Sequence, residues 1–180
     1  MINVSQIPLL ILALTMLNTL QVSINSAILH EQESSIQNDA TFEANSIGGM
    51  MMDEILAKNF DNKAATKNVS SRIQLTTKDS LGVDVSEVAV NNEAVSIDDV
   101  IFQSQQKFND VDDYNRYKRI VMTSNLGDFT VSDSVCYVQE SNTDVFSQVP
   151  TWCKKIVVTV SHQNMSNPLV IKSLVVYTKF

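Results

Sequence analysis

The chain opens with an apolar stretch that carries no charged side chain from Met1 to Leu29. Charge begins at the run His30-Glu31-Gln32-Glu33, and the first Lys or Arg is Lys58. About 20 apolar residues cross a bilayer as a helix, and the segment from Ile7 to Leu29 is long enough to do so. The pattern predicts a long helix whose first half lies in lipid or in a bundle of helices.

Two other interpretations of this segment stay open, a removed secretory signal and a soluble core helix. Secretory signals begin with basic residues and end with small residues before the cleavage site, and the chain has no such basic region. The segment also carries many polar side chains for a lipid-facing span, and in apolar surroundings these bond to neighbouring helices or to their own backbone. They are Thr15, Asn18, Thr19, Gln21, Ser23, Asn25 and Ser26. We therefore favour a retained membrane or bundle helix.

The helical pattern continues into a second, amphipathic half over residues 30–60. Its apolar residues follow helical spacing and form one narrow stripe: Ile36, Ala40, Ile47, Met51 and Ile55. The pair Gly48-Gly49 interrupts it and indicates either a kink or a close approach to the rest of the protein. We expect the helix to end at Asn62 or in the stretch from Lys63 to Ala65. The predicted domains are a long helix over 1–60 and a globular head over 61–180.

After Phe60 the pattern changes to alternation with a period of two, which is typical of strands. Alternating or β-branched runs occupy residues 72–77, 130–138, 155–161 and 169–178, and the turn from Asn164 to Pro168 predicts a hairpin between the last two. The middle, 81–118, has little periodicity and is predicted to be a long excursion with short strands at most. The fold class is therefore α+β, a long N-terminal α-helix followed by a small antiparallel β-sheet.

Composition excludes several classes of function. The net charge of −7 over 180 residues argues against nucleic-acid partners and against docking on anionic lipid head groups. Neither His30 nor His162 has neighbours at metal-ligand spacing, and there is no phosphate-binding loop or nucleophile elbow. We predict no catalytic residues, no cofactor and no enzymatic activity.

The sharpest local cluster is acidic and runs from Phe108 to Asn115. Asp110, Asp112 and Asp113 are hard oxygen ligands of the kind that Ca²⁺ takes, although the spacing is not that of an EF-hand. The alternative is a turn in which the Asp and Asn side chains bond nearby backbone N–H groups. The turn is the favoured interpretation, with a calcium site kept as the second.

The two cysteines lie in neighbouring strand candidates. Cys136 falls within one and Cys153 opens the next, so antiparallel pairing would bring the two Cα atoms near disulfide distance. In an exported domain this favours a Cys136–Cys153 disulfide. The alternative is a pair of small buried apolar side chains.

Together, these features resemble the type IV pilin superfamily. The segment from Ile47 to Asp61 looks like the end of the long helix in certain pilin-like proteins, where a run of the type A-x-S-L-x-x-E-I-x-x-x-x-F-D recurs. The segment from Phe108 to Tyr114 is similar to F-D-D-V-D-D-Y in minor subunits of mannose-sensitive haemagglutinin pili, and to pilin-like proteins of the Bacteroidetes–Chlorobi group. The chain departs from the superfamily at its start, since no Gly precedes Gly48 and no Glu precedes Glu31.

The resemblance implies a structural subunit of an extracellular filament on the cell surface. Its partners would be further copies of itself, with the inner membrane as its anchor before assembly. Polymerisation would use one apolar set on the first half of the helix, namely Ile7, Leu10, Leu14, Leu17, Leu20, Ile24 and Ile28. The alternatives are a monomeric membrane-anchored extracytoplasmic binding module and a pseudopilin of a secretion apparatus.

Overall fold

The structure is a computed structural model that describes residues 6–67, 69–83, 93–97 and 102–178. It divides into two compact units, Met1–Asp39 and Ala40–Phe180, called the N-terminal and C-terminal units below. In the N-terminal unit, the described residues from Ile7 onward are helical. The first five residues of the predicted helical domain lie outside the described residues.

The long helix comes first and is followed by short helices and strands. Helix α1 spans Ile7–Leu56, and two short helices follow, α2 at Asn62–Thr66 and α3 at Gln103–Lys107. The strands are β1 Glu93–Ser96, β2 Lys118–Thr123, β3 Gly127–Gln139, β4 Asn142–Phe146, β5 Cys153–Ser161 and β6 Leu169–Val176. The α+β layout of a long N-terminal helix and a small sheet is therefore confirmed.

The sheet is antiparallel apart from one edge. Its strand order is β1-β2-β3-β5-β6, with β4 paired to β3 beside this path, and β1 pairs parallel with β2. Strands β5 and β6 pair antiparallel from Cys153↔Val176 to Val160↔Leu169, which confirms the predicted hairpin.

The residues of α1 that belong to the C-terminal unit form the core with the inner face of the sheet. Ala40, Ile47, Met51 and Ile55 of the predicted stripe are fully buried, whereas Ile36 is exposed. Alternate residues of β3 and β5 point to the same core, because successive side chains in a strand face opposite sides. The compact units thus divide at residues 39 and 40, earlier than the predicted domain boundary at 60 and 61.

Gly48 marks a close approach between α1 and the sheet, one of the two alternatives raised by the Gly-Gly pair. A Cβ atom at Gly48 would lie 2.7 Å from Ile171 Cδ1 and 3.2 Å from Val160 Cγ2. A Cβ atom at Gly49 would meet no atom within 4 Å. Only the first glycine is therefore required by packing.

The strand predicted at residues 72–77 is wrong. Arg72–Gln74 forms a 3-10 turn, and Gln74 Oε1 accepts hydrogen bonds from the backbone N–H groups of Ser70 at 2.9 Å and Ser71 at 3.2 Å. A side chain that bonds nearby backbone N–H groups competes with strand pairing, which explains the difference. The excursion predicted at residues 81–118 contains β1, α3 and a 3-10 turn at Asp112–Tyr114 among its described residues. Residues 84–92 and 98–101 lie outside the described residues.

Candidate functional site

The first candidate is the apolar part of α1 within the N-terminal unit. All seven residues predicted to mediate polymerisation are exposed, from Ile7 and Ile28 at 47% to Leu17 at 62%. An 18-residue window of the helix reaches a mean hydropathy of 1.9 with none of it buried, so the helix is long and apolar enough to cross a membrane. Ile7 to Leu29 covers roughly 35 Å at 1.5 Å per residue, close to the ~30 Å hydrocarbon core of a bilayer.

Large apolar side chains cover every side of this segment and extend beyond the predicted face. Leu9, Leu12, Met16 and Val22 lie outside that set, and each is more than half exposed, with Leu9 at 72%. A helix with large exposed apolar side chains on every side is stable where apolar surroundings cover these side chains, in lipid or in the interior of a protein assembly. One flat partner surface would leave most of these side chains in water.

Five of the polar residues of the segment fall into two groups. The Thr15 and Thr19 hydroxyls donate to the carbonyl oxygens of Leu12 at 2.8 Å and Met16 at 2.9 Å, so each is satisfied within the helix. Asn18, Gln21 and Asn25 instead present exposed amide groups. Amides have strong donors and acceptors, which are costly against hydrocarbon and readily bonded by a neighbouring helix.

A buried carboxylate in α1 organises the C-terminal unit. Glu54 Oε1 accepts from Ser104 Oγ at 2.5 Å and from Tyr114 Oη at 2.9 Å, and Glu54 Oε2 accepts from Arg119 Nη1 at 2.8 Å. The Glu54 and Arg119 side chains are only 3% and 1% exposed. This cluster ties α1 to α3, to the 3-10 turn at Asp112–Tyr114 and to β2.

Asp133 of β3 adds a second buried carboxyl to this region. Its two oxygens and Arg119 Nε make no hydrogen bond in the described structure. Burial raises the pKa of Asp133 to about 8; the Arg119 charge opposes the rise and the Glu54 charge adds to it. Asp133 therefore favours its neutral form near neutral pH.

The acidic cluster forms the predicted turn. Asp110 Oδ1 accepts from the N–H groups of Asp112 at 2.8 Å and Asp113 at 3.3 Å, and Asp113 Oδ2 accepts from those of Asn109 at 2.9 Å and Asp110 at 3.1 Å. All three Asp residues are buried, with Phe108 and Tyr114 packed edge to face beside them. Burial and the charges of Asp112 and Asp113 raise the pKa of Asp110 to about 9.

These bonds use one carboxylate oxygen of Asp110 and one of Asp113. Among the described residues there is no group of three or more His, Cys, Asp or Glu side chains arranged to hold a metal ion. The Asp110 and Asp113 carboxyls accept from backbone N–H groups, and the Asp112 carboxyl accepts from a lysine.

That lysine is Lys154 of β5, and it is fully buried. Lys154 Nζ donates to Phe60 O at 2.6 Å, contacts Asp112 Oδ1 directly and lies 3.5 Å from Asp61 Oδ2. The rings of Phe60 and Tyr137 lie beside it, with centroids 4.5 Å and 5.2 Å from Nζ. Burial raises the pKa of Asp112, while the charge and hydrogen bond of Lys154 oppose the rise.

The predicted Cys136–Cys153 disulfide is absent, and both cysteines are free thiols. The strands pair antiparallel as expected, but the register places Lys155 opposite Cys136 and Lys154 opposite Tyr137. Cys153 therefore lies diagonally from Cys136, two positions from a direct pairing. Burial raises the pKa of both thiols.

His162 lies in a packed environment. Its ring stacks on Phe129 with centroids 4.3 Å apart, and its Nε2 lies 2.9 Å from Leu126 O.

The sequence prediction missed the roles of Glu54, Arg119 and Lys154. A signal existed for the two basic residues, because the alternating pattern of β2 and β5 puts Arg119 and Lys154 at inward positions. A charged side chain that points into the core requires a partner of opposite charge, and the alternating pattern of the strand does not identify that partner.

Comparisons with protein-family profiles, with curated proteins and with solved structures gave no match to this chain.

Proposed function

We propose that this protein is a structural subunit of a type IV pilus-like filament on the cell surface and polymerises through the apolar part of α1. The observation that carries the proposal is the uncharged helical segment whose large apolar side chains are exposed on every side. The motif resemblance at Ile47–Asp61 and Phe108–Tyr114 supports the same class of protein.

A bundle of such helices fits the segment better than lipid alone. Burial of apolar surface contributes about 25 cal/mol per Å², and helices in a filament core cover one another on all sides. The exposed amides of Asn18, Gln21 and Asn25 gain partners between helices that hydrocarbon does not offer. Before assembly, the same helix is apolar and long enough to anchor the subunit in the inner membrane.

The test places one charge in the helix. Leu14→Asp puts a carboxylate where neighbouring helices would bury it without a partner, so we expect cells that make this variant to lose their filaments. The matched control is Ile73→Asp, because Ile73 lies in the C-terminal unit and is 91% exposed. The readout is electron microscopy of sheared surface material, with an immunoblot of whole cells to show that each variant accumulates.

Normal filaments built from Leu14→Asp would contradict the proposal. A monomeric membrane-anchored module, the alternative function, predicts that the wild-type chain stays in the membrane fraction and that the sheared material contains no filament of this protein.

A further inference from the structure

The Lys154 amine has two acidic neighbours as well as the carbonyl oxygen of Phe60. The amine lies between two carboxyl groups, those of Asp112 and Asp61, and all three side chains are at most 4% exposed. The three residues come from β5, from the 3-10 turn at Asp112–Tyr114 and from the segment between α1 and α2. Aromatic rings of Phe60 and Tyr137 face the amine.

We propose that Lys154 and Asp112 react in the folded protein to form an intramolecular amide bond, an isopeptide cross-link, with Asp61 as the base that transfers the proton. The site is thus an autocatalytic modification site that joins β5 to the acidic turn. The cross-link lies in the C-terminal unit and does not depend on the proposed filament function.

The reaction needs an uncharged amine on Lys154 and an uncharged carboxylic acid on Asp112. Transfer of one proton from the Lys154 ammonium to the Asp112 carboxylate within this contact supplies both groups. Burial raises the pKa of Asp112, although the charge and hydrogen bond of Lys154 and the hydrogen bond with Asp110 oppose this rise. An unprotonated amine is a nucleophile, and the fold holds Nζ of Lys154 in contact with Oδ1 of the carboxyl group that it attacks.

The step balances without any further reagent. The lone pair of Nζ attacks Cγ of Asp112 and forms the C–N bond, and Asp61 Oδ2, 3.5 Å from Nζ, takes the proton that the nitrogen sheds. Asp61 then returns this proton to the hydroxyl oxygen on Cγ, the C–O bond breaks, and the oxygen leaves as water. Asp61 is held for this task, since its carboxylate accepts from the N–H groups of Lys63 at 3.0 Å and Thr76 at 2.9 Å.

The other close ion pairs lack one requirement each. Arg119 and Glu54 are equally buried, but a guanidinium stays protonated and offers no amine nucleophile. Lys155 lies 2.8 Å from Asp144, but Asp144 is 89% exposed, so water solvates its carboxylate. These pairs provide internal controls.

The experiment measures the full chain, purified in detergent, by intact mass and by peptide mapping under denaturing, reducing conditions. We expect the wild-type mass to be lower than that of the unlinked chain by one water, and the digest to contain a branched peptide with both Asp112 and Lys154. Lys155→Arg is expected to keep this deficit. Lys154→Arg and Asp61→Asn are expected to give linear peptides of full mass.

Linear wild-type peptides that contain unmodified Asp112 and Lys154 would overturn the proposal, and they would leave the pair as a buried salt bridge. A water deficit that persists in Lys154→Arg would overturn it as well, since the loss would then arise elsewhere. The wild-type digest decides the question even if a variant fails to fold. A deficit that persists in Asp61→Asn would overturn the role of Asp61 as the base.

Discussion

Removal of the Glu54 charge is the most informative test of how the C-terminal unit is held together. Glu54→Gln keeps the shape of the side chain but removes the charge that faces Arg119 at 2.8 Å. It also places an amide donor among the donors from Ser104, Tyr114 and Arg119. Arg119 is then left as a buried cation without an ionised carboxylate at hydrogen-bond distance.

The expected cost follows from the burial of the pair. Removal of one partner of a buried ion pair costs about 3–5 kcal/mol, whereas the loss of an exposed pair costs roughly 1 kcal/mol or less. The control is Arg72→Met, because Arg72 and Glu140 also lie 2.8 Å apart but are 51% and 39% exposed. At about 2–4 °C per kcal/mol, Glu54→Gln should lower the melting temperature by roughly 10 °C and the control by only a few degrees.

The assay is thermal and urea unfolding of the full chain in mild detergent, followed by tryptophan fluorescence. Trp152 is the only tryptophan in the sequence and stacks on Tyr177, so the signal reports on the C-terminal unit. Glu54→Leu combined with Arg119→Met should recover part of the lost stability, since no unpaired charge remains. Equal losses of stability for Glu54→Gln and Arg72→Met would show that burial of the Glu54–Arg119 pair does not raise the cost of breaking it.

Two further predictions concern pH and packing. In the folded protein the pKa of Asp133 is about 8, against an ordinary value of 3.8. The contribution of this group to the free energy of unfolding is therefore fully present below pH 3.8 and is lost as the pH rises towards 8. The melting temperature should fall between about pH 5 and pH 8, and Asp133→Asn should flatten this slope; an unchanged slope would contradict the assignment. Gly49→Ala should raise the free energy of unfolding by about 1 kcal/mol, because a Cβ atom there meets no neighbour. Gly48→Val should lower it by about 1–3 kcal/mol, because the Ile171 side chain already fills the space beside Gly48. Urea midpoints measure both effects, and equal effects of the two variants would contradict the close packing at Gly48.

Local periodicity predicted the elements that depend on one buried face. The stripe from Ala40 to Ile55 and the β5–β6 hairpin both follow from spacing that a single segment displays. The segment at 72–77 showed strand alternation, but local hydrogen bonds to Gln74 decided its structure. Periodicity cannot weigh such competition, because it records only which residues are apolar.

The buried charges needed information that no local window contains. Glu54 pairs with Arg119 across 65 positions, and Lys154 meets Asp112 across 42. The acidic turn was the favoured interpretation of residues 108–115, but its lysine partner came from a distant strand. The register of β3 and β5 likewise decided against the disulfide, because an offset of two residues separates Cys136 from Cys153.

The central claim is that the apolar part of α1 forms the core of a filament. The most direct measurement is a helical reconstruction by electron cryomicroscopy of filaments sheared from cells that make this chain. We expect a central bundle in which the segments Ile7–Leu29 of many copies contact one another. Filaments whose subunits contact one another through the C-terminal units alone, with these helices absent from the core, would contradict it.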